Sequence, residues 1–239
     1  MILEDCICFG RTVPEDSKKY GRKVCSVFYS PELRNFIRVY PLMIDNPVRM
    51  RYRCRLELTR NPNDNREESW KLKDPVNSIL NVQPSPKALQ SDHDVFSVLQ
   101  KHEESSIQKL NHDRKSIGVV RADLIGRMKV NGGVIKPEQK ELFDDVYECF
   151  GYRPKCIPYL RFRDSGGIHE IQVREWGVWE FIRKYPDKSL RVFDALGIDK
   201  NPHNYLVVGN MLNRRNNWLV IACFKTEPVS SQQTLFAAV

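Results

Sequence analysis

Arg49, Arg51, Arg53 and Arg55 stand at every second position of one short stretch, and their spacing carries the clearest chemistry in the chain. They alternate with Met50, Tyr52, Cys54 and Leu56, and Leu58 continues the apolar series. Side chains on a strand point to opposite faces with period two. The pattern therefore predicts four guanidinium groups on one face and five apolar groups on the other. Like charges crowded on one sheet face repel. A phosphate backbone would relieve that repulsion, because guanidinium binds phosphate through planar, paired hydrogen bonds. The competing reading is an edge strand whose arginines pair with neighbouring carboxylates or block aggregation.

Other basic groups point the same way. Lys18, Lys19, Arg22 and Lys23 surround Tyr20 in a charged segment. Cations that track a backbone beside an aromatic that stacks on bases are a common means of holding single strands. A solvated loop is the plainer reading. Arg161 and Arg163 share a strand face with Tyr159, and Arg214 with Arg215 forms a basic tip to the last hairpin. Trp176 and Trp179, three apart on a helix, offer either a stacking platform or two core residues.

Catalytic candidates are fewer. Asp164, Glu170 and Gln172 form a D-x5-E-x-Q pattern on a hairpin. Metal-dependent nucleases of the restriction type hold Mg2+ with an Asp and a Glu-x-Lys at adjacent strand ends. Asp164 and Glu170 are thus the catalytic candidates for phosphodiester cleavage, with Mg2+ as the cofactor of that reading and no cofactor otherwise. Gln172 stands where such a site has Lys. Glu175 and Glu180 could add acidic ligands, but they open a helix, where Glu is favoured anyway. Nothing positions a Cys25–His169 pair. There is no G-x-S-x-G elbow, no P-loop and no G-x-G-x-x-G. Cys6 with Cys8 and Cys149 with Cys156 lack zinc-ribbon spacing, so no metal site is expected.

The elements that must position these residues read as α+β: a strand-rich N-terminal half, a helical middle and a C-terminal mixed sheet with two helices. Residues 1–74 form a strand-rich basic lobe with strands over 6–9, 24–29, 35–40 and 49–58. A charged loop over 14–23 and a turn at 61–65 separate them. Residues 75–116, broken by Pro84 and Pro86, read as exposed helices or a helical linker. Residues 117–239 form an α+β lobe. It has a strand over 116–130, a turn at 131–133 and a helix over 137–150. A hairpin over 157–174 follows, then helices over 175–184 and 187–196 and strands over 205–208 and 218–224. The three parts could also make one compact domain. No solenoid repeat is visible.

Composition sets the partner class. Across 239 residues, 38 Lys and Arg against 30 Asp and Glu give a net charge of +8 and a pI near 9.1. Such a field favours polyanions. No apolar run is long enough to span a bilayer, and the first residues lack the basic and apolar regions of a secretory signal. Seven cysteines, an odd number, suit a reducing compartment, so a cytoplasmic location with no membrane partner is expected.

Two stretches carry a resemblance. One runs through Arg11-Thr12-Val13-Pro14, Ser17-Lys18-Lys19-Tyr20, Val24-Cys25-Ser26 and Arg38-Val39-Tyr40-Pro41, then Arg66-Glu67-Glu68-Ser69-Trp70. The other takes in Arg161-Phe162-Arg163-Asp164, Glu175-Trp176, Gly209-Asn210 and residues 218–224. The chain resembles uncharacterised bacterial and phage-associated proteins with no activity attached. The resemblance implies a prokaryotic or mobile-element origin and a place in a nucleoprotein or defence complex, with other protein subunits as further partners. Arg11, Lys18, Arg38 and Arg66 fall on its patterned positions and are expected to line one anionic-ligand site. The leading expectation is a nucleic-acid-binding protein, DNA or RNA, that contacts phosphates through a basic face. A nuclease and a non-enzymatic interaction subunit are the alternatives.

Overall fold

The computed structural model describes residues 1–17, 21–77, 81–89, 91–126, 157–195 and 204–225. The expected helix over 137–150, the turn at 131–133 and the Lys18-Lys19-Tyr20 segment lie outside them.

The alternation read at residues 49–58 governs the first sheet. β5 (Tyr52–Arg60) turns Cys54, Leu56 and Leu58 into the core and leaves Arg53, Arg55 and Glu57 outward. On one edge it pairs with β1 (Ile2–Arg11), and on the other with β6 (Ser69–Leu72) and β7 (Val82–Leu89). β1 continues to β3 (Gly21–Ser30), β3 to β4 (Asn35–Met43), and β4 to β6 in parallel. β2 (Glu15–Ser17) is a short addition to β3. The path β1-β3-β4-β6-β5 returns to β1, so the sheet closes into a barrel.

The second sheet repeats this plan. β9 (Ile117–Gly126), β10 (Tyr159–Asp164), β11 (Gly167–Val173), β12 (Asn204–Met211) and β13 (Arg214–Lys225) close in the order β9-β10-β11-β13-β12-β9. Here too the third and fifth strands, β11 and β13, run parallel. In each barrel the strands succeed one another as first, second, third, fifth, fourth and back to first. That is the Greek-key closure of an OB-type barrel. Among the described residues, the second barrel adds α3 (Trp176–Lys184), a 3-10 turn (Pro186–Arg191) and α4 (Val192–Ala195) between its third and fourth strands. The first has only the loop over 44–51 there. The chain is α+β, as its sequence implies, and the expected C-terminal mixed sheet is present, closed on itself as a barrel.

Three apolar clusters hold these units. One fills the first barrel and includes Phe28, Ile37 and Leu56. One fills the second and includes Leu160, Phe162 and Val220. The third lies between the barrels, where Phe9, Val27, Tyr29 and Phe36 of the first meet Val119, Tyr205, Val207 and Ile221 of the second. The barrels touch so closely that a Cβ on Gly10 would lie 3.0 Å from Ile221 Cγ2 and 3.1 Å from Ala222 Cβ.

The middle segment is helical, as expected, and its helices are packed rather than exposed. It holds β7, α1 (Asp92–Lys101), β8 (Glu103–Glu104) and α2 (Ile107–His112). The Ser91 side chain caps α1 by accepting from the Asp94 N–H, and Val95 and Leu99 enter the inter-barrel core. Ser106 caps α2 in the same way, and Ile107 and Leu110 pack into the second barrel. β7 contains Pro84 and Pro86, the residues that argued against a strand. It tolerates them because it pairs on one side only, with β5. Among the described residues no helix is long and apolar enough to cross a membrane.

Candidate nucleic-acid interface

The basic residues singled out in the sequence divide into three environments. The first is the arginine comb. Arg53 and Arg55 do point outward from β5, but each meets a carboxylate on β1: Arg53 with Asp5 at 3.7 Å, Arg55 with Glu4 at 3.0 Å. Arg51, in the turn before β5, reaches Asp92 at 2.5 Å, and Arg49 is exposed in the same loop. The register shift in β1 between Leu3 and Cys6 brings the two acids alongside. The four-guanidinium face is therefore shorter than expected and substantially neutralised. Arg22 pairs with Asp16 at 3.7 Å. Lys18, Lys19 and Tyr20 lie outside the described residues.

The second environment is interior. Arg11 donates to the carbonyls of Ile44, Asn46 and Val48 and lies over the Trp176 ring, 4.5 Å from its centroid. Arg38 is 4% exposed and donates through Nη2 to the Ser116 carbonyl at 2.8 Å. Arg66 is gripped by Asp64 through two bonds, 2.8 and 2.6 Å, and reaches the Asn210 carbonyl at 2.9 Å. Glu68 completes the junction by accepting from the Ser116 N–H and hydroxyl. Burial lowers the pKa of Arg38 and Arg11. It also tends to raise that of Asp64, but the Arg66 hydrogen bonds prevail and hold Asp64 below its ordinary value. Arg38 and Arg66 join the barrels and face no solvent, and Arg11 braces the 44–51 loop. The expected shared anion site of Arg11, Lys18, Arg38 and Arg66 does not assemble among the described residues. Trp179 is core, its indole N–H donating to the Val173 carbonyl.

The third environment is open. β11 and β13 are in register only at Gln172–Leu219 and Val173–Val220. Toward the start of β11 they part, and the gap is a groove of about 510 Å³. Its lining includes Tyr159, Ile168, Glu170, Gln172, Asn217 and Arg214, with Trp218 also contributing. Arg161 and Arg163 stand on the same outward face of β10 as Tyr159, opposite Glu170 and Ile168. Arg161, Arg163 and Arg214 are exposed, and none has a carboxylate partner among the described residues. Arg215 instead donates to Asn65 Oδ1 at 2.6 Å. Burial, then the charge of Glu170, raises the Tyr159 pKa, so the phenol stays neutral. The Tyr159, Arg161 and Arg163 face read from the sequence thus reaches the groove through Tyr159, which lines it together with Arg214.

The acidic pair does not converge. Asp164 points inward with Phe162, whereas Glu170 points outward with Arg161. Asp164 accepts from the Ile107 N–H at 2.9 Å and the Gly166 N–H at 2.8 Å, and meets His169 Nε2 at 2.9 Å. These bonds tie the hairpin to α2. No cluster of three metal-ligating side chains occurs among the described residues.

Sequence reasoning missed the part played by Gln172. It is 7% exposed, and its Nε2 is buried without a hydrogen-bond partner. Strand alternation could have placed it beside Glu170, but the parting of β11 from β13 is not a local signal. No curated protein matches the chain. Residues 3–93, the first barrel and the start of α1, match the family model described as "Domain of unknown function (DUF8758)", so an uncharacterised family with no known activity is what this chain resembles.

Proposed function

We propose that the protein binds nucleic acid across the groove between β11 and β13, with Arg161, Arg163 and Arg214 holding the phosphate backbone. One observation carries the reading: exposed Arg214 lines a groove that also holds an aromatic ring, and exposed Arg161 and Arg163 stand on the neighbouring strand opposite its lining residues Glu170 and Ile168, all three without carboxylate partners among the described residues. OB-type barrels bind oligonucleotides on the face of their second and third strands, beside the loop joining the fourth and fifth. In the second barrel those are β10, β11 and the β12–β13 turn. The analogy is one of fold, and the named side chains supply the chemistry. The unpaired thiols of Cys6, Cys8, Cys25, Cys54 and Cys223 favour a cytoplasmic setting, such as the nucleoprotein complex implied by the resemblance.

The test is binding of labelled DNA and RNA oligonucleotides across a salt series. Replacing Arg161, Arg163 and Arg214 together with Ala is expected to weaken binding at least about tenfold. It should also lower the salt slope by about two, since each phosphate contact on a single strand contributes about 0.7. Undiminished binding by this variant, or no binding by the unmodified protein at low salt, overturns the reading. The second result would favour an acidic protein partner.

A further inference from the structure

We infer that Gln172 reads an unpaired base in this groove and favours bases that present a carbonyl there, guanine and thymine or uracil, over adenine and cytosine. The inference rests on the nucleic-acid reading above and adds a substrate class: single strands, with keto bases preferred.

The reasoning begins from an unmet hydrogen bond. A buried donor without a partner destabilises the folded protein, because its lost hydration is not replaced. Buried polar groups are nearly always satisfied, so an orphan at a groove points to something that arrives. Gln172 Nε2 is such a donor, in a side chain more than nine-tenths buried whose residue lines the groove. Around it are surfaces suited to a flat, partly apolar ring: Tyr159, Ile168, Met211 and Trp218. Asn216 and Asn217 add further amides. The volume of about 510 Å³ is that of a small-molecule pocket, ample for a base with its sugar.

Duplex ends the argument for a paired base. Bases in a helix are stacked and cannot enter a gap between two strands, whereas those of single strands splay onto aromatic side chains. The preference follows from the donor. Guanine offers O6 and thymine or uracil O4 as acceptors, where adenine and cytosine offer amino groups at N6 and N4. An amide N–H meeting a carbonyl is a bond. Meeting an amino group, it leaves two donors opposed.

The experiment measures affinity of the full chain for oligo(dT), oligo(dA), oligo(dC) and an unstructured G-containing strand, with a duplex for comparison. Thymine and guanine strands are expected to bind about tenfold more tightly than adenine and cytosine strands, with duplex weakest. Gln172→Met, which keeps the length and removes the amide, should bring the four strands within about twofold while leaving the salt slope unchanged. Gln172→Glu, which presents an acceptor, should shift preference toward adenine and cytosine. Binding that depends on Arg161, Arg163 and Arg214 but shows no keto preference in the unmodified protein overturns this inference and leaves the phosphate reading intact. No binding at all removes both. The measurement on the unmodified protein decides even if a Gln172 variant fails to fold.

Discussion

Arg38 and Gln172 occupy equivalent places in the two barrels: each is the first residue of the two-pair parallel ladder between third and fifth strands, Arg38 opposite Ser69 and Gln172 opposite Leu219. Each points out of its barrel, and each keeps one buried N–H group without a partner, Arg38 Nη1 and Gln172 Nε2. Their surroundings differ. The outer face beside Arg38 is covered by the second barrel, with Ser116 receiving its guanidinium. The face beside Gln172 borders an open groove. The same face of the fold is an internal joint in the first barrel and borders an open groove in the second.

The arginine comb is expected to matter little to binding. Exposed ion pairs such as Arg53–Asp5 and Arg55–Glu4 are worth about 0–1 kcal/mol each. Arg53→Ala with Arg55→Ala should leave nucleic-acid affinity within about twofold and stability within about 1 kcal/mol, read by the same binding assay and by urea denaturation.

Asp64 should be critical to stability. Asp64→Ala would leave the Arg66 guanidinium buried and uncompensated, a loss of about 3–5 kcal/mol. A marked fall in the urea midpoint is the expected result. The folded pKa of Asp64 lies below 3.8. Its stabilisation is therefore complete above about that pH and fades as pH drops through the lower folded value.

Glu175 sets an opposite pH dependence. Burial lifts its pKa from 4.5 to about 7, against the pull of the Cys223 N–H at 3.2 Å. Between those values the folded protein holds a proton that the unfolded chain has released, so this residue makes stability fall as pH rises from 4.5 to 7. Glu175→Gln should flatten that decline and stabilise the protein by about 3 kcal/mol above pH 7. Thermal unfolding at pH 5 and pH 8 checks both statements.

Asp164 is expected to act on structure. Asp164→Ala strips acceptors from the Ile107 and Gly166 N–H groups and should destabilise by about 2–3 kcal/mol. Added Mg2+ or Mn2+ should leave a bound probe uncut in the unmodified protein. Cleavage that requires Asp164 would contradict this assignment.

Local patterns were legible and distant ones were not. The period-two alternation at Cys54, Leu56 and Leu58 identified β5 and its outward arginines, because side-chain direction on a strand depends only on neighbours. The acids that neutralise those arginines, Glu4 and Asp5, lie some fifty residues away on a strand with a register shift. Tyr159, Arg161 and Arg163 were legible as one face for the same reason as β5. The groove they border was not, because it arises where β11 leaves β13, more than forty residues apart in sequence. Arg38 and Arg66 look like ligand-binding residues in sequence because a buried junction between domains uses the same side chains as an anion site. The closure order shared by the two barrels escaped notice because it is a property of pairing and leaves no periodic trace.

The prolines of β7 have a consequence for the protein in a crowded solution. Among the described strands, β2, β7 and β8 each pair with one neighbour and leave the other edge free along their whole length. β2 has three residues and β8 two, too few to template another chain. β7 has eight, yet Pro84 and Pro86 remove the N–H groups that an incoming strand would need. The longest of these edges is thereby shielded from edge-to-edge accretion, and replacing both prolines with Thr should hasten self-association on storage, as light scattering would record.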